Sequence, residues 1–364
     1  MLDVLDHRRD PAAWAAQLGI SRGAIEIYLA ADVIDLHVDS FIWTRSWGYR
    51  LDERHGHGLF GANVYSQVDL PRIREARVGG AVWSITTNPL RRAKSRAATF
   101  LHNFSELRGI FERNRDDVAL CRNAADYRAA RAADKHAAFI GIQGGNALDA
   151  DHALEAALAH CDGYLLRVTL VHLSTSALGT TSAPSAGARR GNGTGKLTAR
   201  GAHYVEQLDA ARVFVDLAHI NRVGFWDAVA AHDPSLPLLV SHTGVTGVTP
   251  HWRNVDDDQL RAVADTGGVV GIIYQSSFLG DRYLGGKCES IVRHMAHVVD
   301  TIGDDHVALG SDWDGAIFTP RDMPTCLELP RLVEHMLARG WSAERIHKIL
   351  GGNFLRALAQ LRPS

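Results

Sequence analysis

Eight short runs of apolar, β-branched and aromatic residues recur along this chain, each separated from the next by a longer stretch with helical spacing. They fall at 33–38, 80–86, 137–142, 163–171, 213–218, 237–241, 268–274 and 307–310. The runs are nearly continuous in apolar character rather than alternating, which is the pattern of strands covered on both faces. Helical patterns intervene at 93–115, 150–159, 200–209, 256–265 and 289–302, and two more close the chain at 326–339 and 342–361. A further helix is expected over 11–30, ahead of the first strand. Strand–helix alternation repeated eight times predicts an α/β fold, a (β/α)8 TIM barrel, with a doubly wound open sheet as the alternative. The 364 residues suit one barrel, since such domains run from about 200 to over 400 residues. The expected organisation is a single barrel domain over 1–364, with 1–31 as an N-terminal helical extension.

With 46% hydrophobic and 22% charged residues, a large core is available and global disorder is excluded. The 39 Lys+Arg nearly balance the 41 Asp+Glu, so there is no electrostatic footprint for nucleic acid or an anionic membrane. No apolar run approaches the roughly 20 residues of a spanning helix. The opening MLDVLDHRRDPAAW mixes acids and bases where a signal peptide needs a basic start and an apolar stretch. Cys121, Cys161, Cys288 and Cys326 form no CxxC pair, which leads us to expect reduced thiols and a cytoplasmic protein. Residues 174–196, rich in Gly, Ser, Ala and Thr, are expected to form a loop near the site. The GNGTGK within it is not a phosphate loop, because Arg190 stands where the first glycine belongs and Leu197 replaces the metal-binding Ser/Thr.

Among 19 histidines, several stand at predicted strand ends. His37 and Asp39 end the first strand, His172 the fourth, His219 the fifth and His242 the sixth, while Asp312 follows the eighth. A barrel gathers all C-terminal strand ends on one face, so these residues are expected to converge there. The two side chains of an HxD pair point the same way, because strand side chains alternate with period 2. Imidazoles and carboxylates together make a donor set suited to Zn²⁺ or a similar divalent ion. His55, His57, His294 and His297 fit no strand end and are expected to be solvated or to support the site from behind.

The motifs DLHVDS (35–40), GIQGGNAL (141–148), VDLAHI (215–220), VSHTGV (240–245), RNV (253–255), GSDWDG (310–315) and GGNFLRAL (351–358) resemble those of the membrane dipeptidase (renal dipeptidase) family of zinc peptidases. They occur in that family's order and spacing over residues 32–360. The resemblance implies a (β/α)8 barrel and often a homodimer. It also implies that His37 and Asp39 hold one zinc ion and His219 and His242 the other. His172 and Arg253 would contact the substrate or transition state, and Asp312 would handle the proton of the attacking water. In one place the chain departs from the family. The glutamate of GIEGG, which bridges both ions, is Gln143 here. A neutral amide cannot offset the repulsion of two dications, so one zinc ion is expected, with two as the alternative. The function expected is metal-dependent hydrolysis of a dipeptide or dipeptide-like amide. The alternative is a diverged protein acting on another bond in a biosynthetic pathway, or binding without hydrolysis.

Overall fold

The computed structural model describes residues 2, 4–58, 60–87, 93–174, 176–184, 195–282 and 285–363. Its strands, in chain order, are β1 (Ile34–Val38), β2 (Gly80–Thr86), β3 (Val118–Leu120), β4 (His136–Gln143), β5 (Leu165–Thr169), β6 (Phe214–Asp216), β7 (Leu239–Thr243), β8 (Val269–Ile272) and β9 (Val307–Leu309). Every pairing among them is parallel. The spatial order runs β2-β1-β9-β8-β7-β6-β5-β4, and a further pairing of β2 with β4 closes the ring. This closure decides for the barrel and against the open sheet. The strands β1, β2 and β4 to β9 coincide, within a few residues, with the eight expected runs, and all their residues are buried. The short strand β3, which pairs only with β4 outside the ring, is an addition that three residues, two of them partly exposed, could not announce.

Three helical expectations need correction. Residues 11–30 form two helices, Pro11–Leu18 and Arg22–Ala30, because Gly19 takes φ +64° and Ser21 caps the second. Pro330 separates a single turn at Cys326–Glu328 from the helix Arg331–Ala338. The last stretch runs through Ala343–His347, a π-helical turn at Lys348–Gly352 and Asn353–Leu361. A side chain at Gly351 would meet the carbonyl oxygen of Asp32, so only glycine lets this turn lie against the chain entering β1.

The last helix also closes one end of the barrel. Its Phe354 ring packs on Phe139 of β4 and Phe214 of β6 at 6.0 and 5.9 Å between centroids. By strand alternation these rings share their strands' faces with Gln143 and Asp216, further along. The interior therefore runs from an apolar floor to a polar mouth.

Candidate active site

Register sets the level of the mouth: Thr86 pairs with Gln143, Gln143 with Thr169 and Thr169 with Asp216. On β1, alternation puts Asp35, His37 and the following Asp39 on one face. Asp35 accepts the backbone N–H groups of His37 (2.9 Å) and Ser311 (3.1 Å), while burial raises its pKa to about 7. Beyond β9 the chain zips onto the end of β1. Asp312 N–H donates to His37 O over 3.1 Å, and Asp39 N–H donates to Trp313 O over 2.8 Å. These bonds bring Asp312 Oδ1 to 3.6 Å from His37 Nε2, whose other carboxylate neighbour, Asp39 Oδ1, lies at 3.4 Å.

His219 follows β6 with φ +65°, and Asp312 has φ +64°. Left-handed backbone costs a non-glycine residue about 1–2 kcal/mol and persists where the surroundings impose it, commonly at active sites. The turn puts His219 Nε2 2.9 Å from His242 Nε2. The side-chain amide of Gln143 completes a triangle at 3.2 and 3.3 Å from the same two atoms. The His37 ring lies 3.9 Å from that of His242, and His172 sets its ring edge-on to His219 at 4.6 Å. Arg253 donates from Nη2 to His242 O over 2.6 Å.

Burial holds His219 and His242 far below the usual imidazole range, in the neutral form that ligates metals. It lowers His172 to about 3 and Arg253 to about 10. Burial, then the charge of Asp39, drives Asp312 well above the usual carboxylate range. Asp39 stays low: burial opposes its charge, but His37 and the Thr86 hydroxyl favour it.

Do these residues fit a metal ion? Ligands at Zn–N distances of about 2.0–2.1 Å around a tetrahedral ion lie about 3.3 Å apart, close to the edges of the Gln143–His219–His242 triangle. Ligating atoms of His37, His242 and Asp312 also gather within 4.8 Å of one another. Buried His37 Nε2 has no hydrogen-bond partner. The set fits one borderline divalent ion. A second would lack its bridging carboxylate.

The structure thus brings together His37, Asp39, Gln143, His219, His242 and Asp312, with His172 and Arg253 beside them. His172, Thr86 and Thr87 also line a cavity of about 940 Å³ that extends past Phe41, Arg45 and Asn103. Of the other histidines, His294 accepts the Val245 N–H (2.9 Å) behind His242, and His297 pairs with Asp257 (2.7 Å). His55 stacks on Tyr49, and His57 is exposed. Most of GNGTGK, residues 191–194, lies outside the described residues.

Sequence reasoning missed the layer beneath the mouth. Arg167 and Asp216, both fully buried, form an ion pair of 2.5 Å there, and Arg167 also donates to Ser84, Thr169 and Ser241. A signal was available: one arginine inside the apolar run LLRVTLV needs a buried partner.

The sequence model of the membrane dipeptidases (peptidase family M19) matches residues 22–363. The chain belongs to this family. The dipeptidase ataJ of Aspergillus terreus is 30% identical over 322 residues, 81% of this chain and 77% of that protein. An uncharacterized protein from the pqqA 5′ region of Klebsiella pneumoniae is 39% identical over 165 residues, 44% of this chain. That match spans 60% of the relative's length. Among solved structures, a metallopeptidase from Rhodobacter sphaeroides bound to a phosphinate mimic of L-Ala-D-Ala superposes with TM-score 0.78 and 26% identity. The superposition covers 91% of this chain and 99% of that one. As a membrane dipeptidase family member, the chain is an enzyme of the metal-dependent, dipeptide-hydrolysing class.

Proposed function

We propose that the barrel mouth binds zinc and hydrolyses the amide of a dipeptide or dipeptide-like conjugate. The observation that carries this reading is the convergence of Gln143, His219 and His242 at 2.9–3.3 Å beside the His37–Asp312 pair. A bound ion would polarise the scissile carbonyl and bring the pKa of a water to about 7. The candidate donors for it are His37, Asp39, His219 and His242, with the amide of Gln143. Asp312, held high in pKa at the edge of this set, is the group that takes and returns the proton. His172 and Arg253 face the negative charge that develops on the carbonyl oxygen, and Arg253 Nε is buried without a partner. The phosphinate dipeptide mimic carried by the Rhodobacter sphaeroides relative supports a substrate of that size.

We further read 1–364 as one domain, with 1–31 as its extension, and the protein as a cytoplasmic homodimer. The four buried free thiols are consistent with that compartment. Among the described residues no helix is long and apolar enough to cross a membrane.

The test is amino-acid release from a panel of dipeptides by the purified protein, before chelation, after it, and after zinc is restored. Release that stops on chelation and returns with zinc is expected. Hydrolysis indifferent to chelation, or absent at every zinc level, would overturn the proposal.

A further inference from the structure

Two imidazoles at the mouth lie ring against ring, yet their neighbours fix their hydrogens on opposite nitrogens. Ser241 has one hydroxyl hydrogen, and it goes to the Asp216 carboxylate over 2.6 Å. His242 Nδ1, 2.8 Å from the same oxygen, must then be the donor to Ser241. That leaves His242 Nε2 with a free lone pair facing the mouth.

His37 is held the other way. The Arg167 guanidinium, which has donors only, places Nη2 3.0 Å from His37 Nδ1. Ser84, which accepts from that same Nη2, lies 3.3 Å from Nδ1 with its own hydrogen to give. With Nδ1 accepting, a neutral His37 carries its hydrogen on Nε2, the atom between Asp39 and Asp312. The arrangement has room made for it: a side chain at Gly141 would fall 3.0 Å from Arg167 Nε and Nη2.

Gln143 meets a similar constraint. Thr86 Oγ1 lies 2.7 Å from Asp39 Oδ1 and 3.0 Å from Gln143 Oε1, but a hydroxyl cannot donate one hydrogen to both. The charged Asp39 is the stronger acceptor. Turning the Gln143 amide by 180°, which exchanges its O and N, resolves the conflict. Its N–H then donates to Thr86, and its carbonyl oxygen faces His219 Nε2 and His242 Nε2.

We propose that Arg167 is a positioning residue that takes His37 out of the ligand set. The mouth then holds a single ion on His219, His242 and the Gln143 carbonyl oxygen. Three protein ligands with one open position is the usual arrangement of a catalytic zinc. His37 instead turns an N–H toward Asp39 and Asp312, and the fixed charge of Arg167 lies across the ring, against Nδ1. The inference rests on the hydrolase reading only in supposing that an ion binds.

The experiment has two independent arms. In the full-length protein labelled with ¹⁵N-histidine, two-bond ¹H–¹⁵N correlations report which ring nitrogen carries the hydrogen, and the His37→Gln variant assigns the His37 signals. His37 is expected to carry its hydrogen on Nε2 both as purified and after zinc loading, and His242 to carry its own on Nδ1. A hydrogen on Nδ1 of His37 overturns the role given to Arg167. The second arm counts zinc per chain by native mass spectrometry. One ion is expected in the wild type and still one in Gln143→Glu, because His37 remains turned. Two are expected only when Gln143→Glu is combined with Arg167→Met and Asp216→Asn, a pairing that removes both buried charges together. Two ions in the wild type or in Gln143→Glu alone overturn the proposal, as does a folded triple variant that still holds one. A wild type that takes up no zinc overturns the hydrolase reading and the ligand set with it, while the tautomer still decides what Arg167 does.

Discussion

The two ends of β4 carry buried polar groups in opposite states. At its start, His136 has both ring nitrogens satisfied: Trp83 Nε1 donates to Nε2 over 3.1 Å, and Nδ1 donates to Val78 O over 2.9 Å. At its end, Gln143 opens onto a group in which His172 Nδ1, His219 Nδ1 and Arg253 Nε have no partner. A buried polar atom left unpaired costs about 1–3 kcal/mol. The fold accepts that cost at the mouth, together with left-handed backbone at His219 and Asp312. The closed end is complete as a folded structure. The open end is complete only with what it binds.

If this contrast is right, substitutions at the open end should remove function, and those elsewhere should remove stability. The largest effects are expected from His219→Ala and His242→Ala, which should abolish zinc binding and dipeptide hydrolysis together. Zinc retained in both variants would break the assignment. Asp312→Asn should keep the ion while lowering kcat by about 10²–10⁴-fold, the range of a lost general base. Side-by-side metal analysis and steady-state kinetics separate the two classes.

Below the mouth, Asp216→Ala strands Arg167 as an uncompensated buried charge. Breaking one side of such a pair costs about 3–5 kcal/mol, readable as a lower urea midpoint. A midpoint within experimental error of the wild type would mean that this layer carries no such stake.

At the closed end the effect is smaller and depends on pH. Burial lowers His136 from 6.5 to about 3. Between those values the unfolded chain takes up a proton that the folded chain refuses. Stability should therefore fall as pH drops from about 6.5 toward 3, by at most about 1.4 kcal/mol per pH unit from this group. His136→Gln should give a shallower loss of urea midpoint between pH 7 and pH 5. An unchanged slope would deny His136 its part in the acid sensitivity.

The smallest effect belongs to Gly19, between the two N-terminal helices. Gly19→Ala places a side chain at φ +64°, which costs about 1–2 kcal/mol, and zinc content should not change.

The parts of this contrast that sequence revealed have a common physical origin. Parallel strands buried on both faces read as apolar runs, so the barrel could be counted from 33–38 through 307–310. A shared face at the strand ends follows from the barrel itself, which is why His37, Asp39, His219, His242 and Asp312 could be assembled from positions up to 275 residues apart, 312 minus 37. Gln143 was visible because it breaks a motif. Arg167 was not assembled with them, although it sits between Leu166 and Val168, because its importance lies in which nitrogen of His37 it faces. Hydrogen-bond direction is a property of packed neighbours, not of spacing. Short elements failed for a related reason: β3 and the break at Gly19 depend on a few residues and local backbone, where periodicity has too little length to act.

The measurement that bears most directly on the whole account is anomalous X-ray diffraction at the zinc edge from crystals grown with excess zinc. One anomalous peak at the mouth is expected, within bonding distance of His219 Nε2, His242 Nε2 and the Gln143 side chain, with His37 outside its coordination sphere. A second peak between His37 and Asp39, or no peak at the mouth, would contradict it.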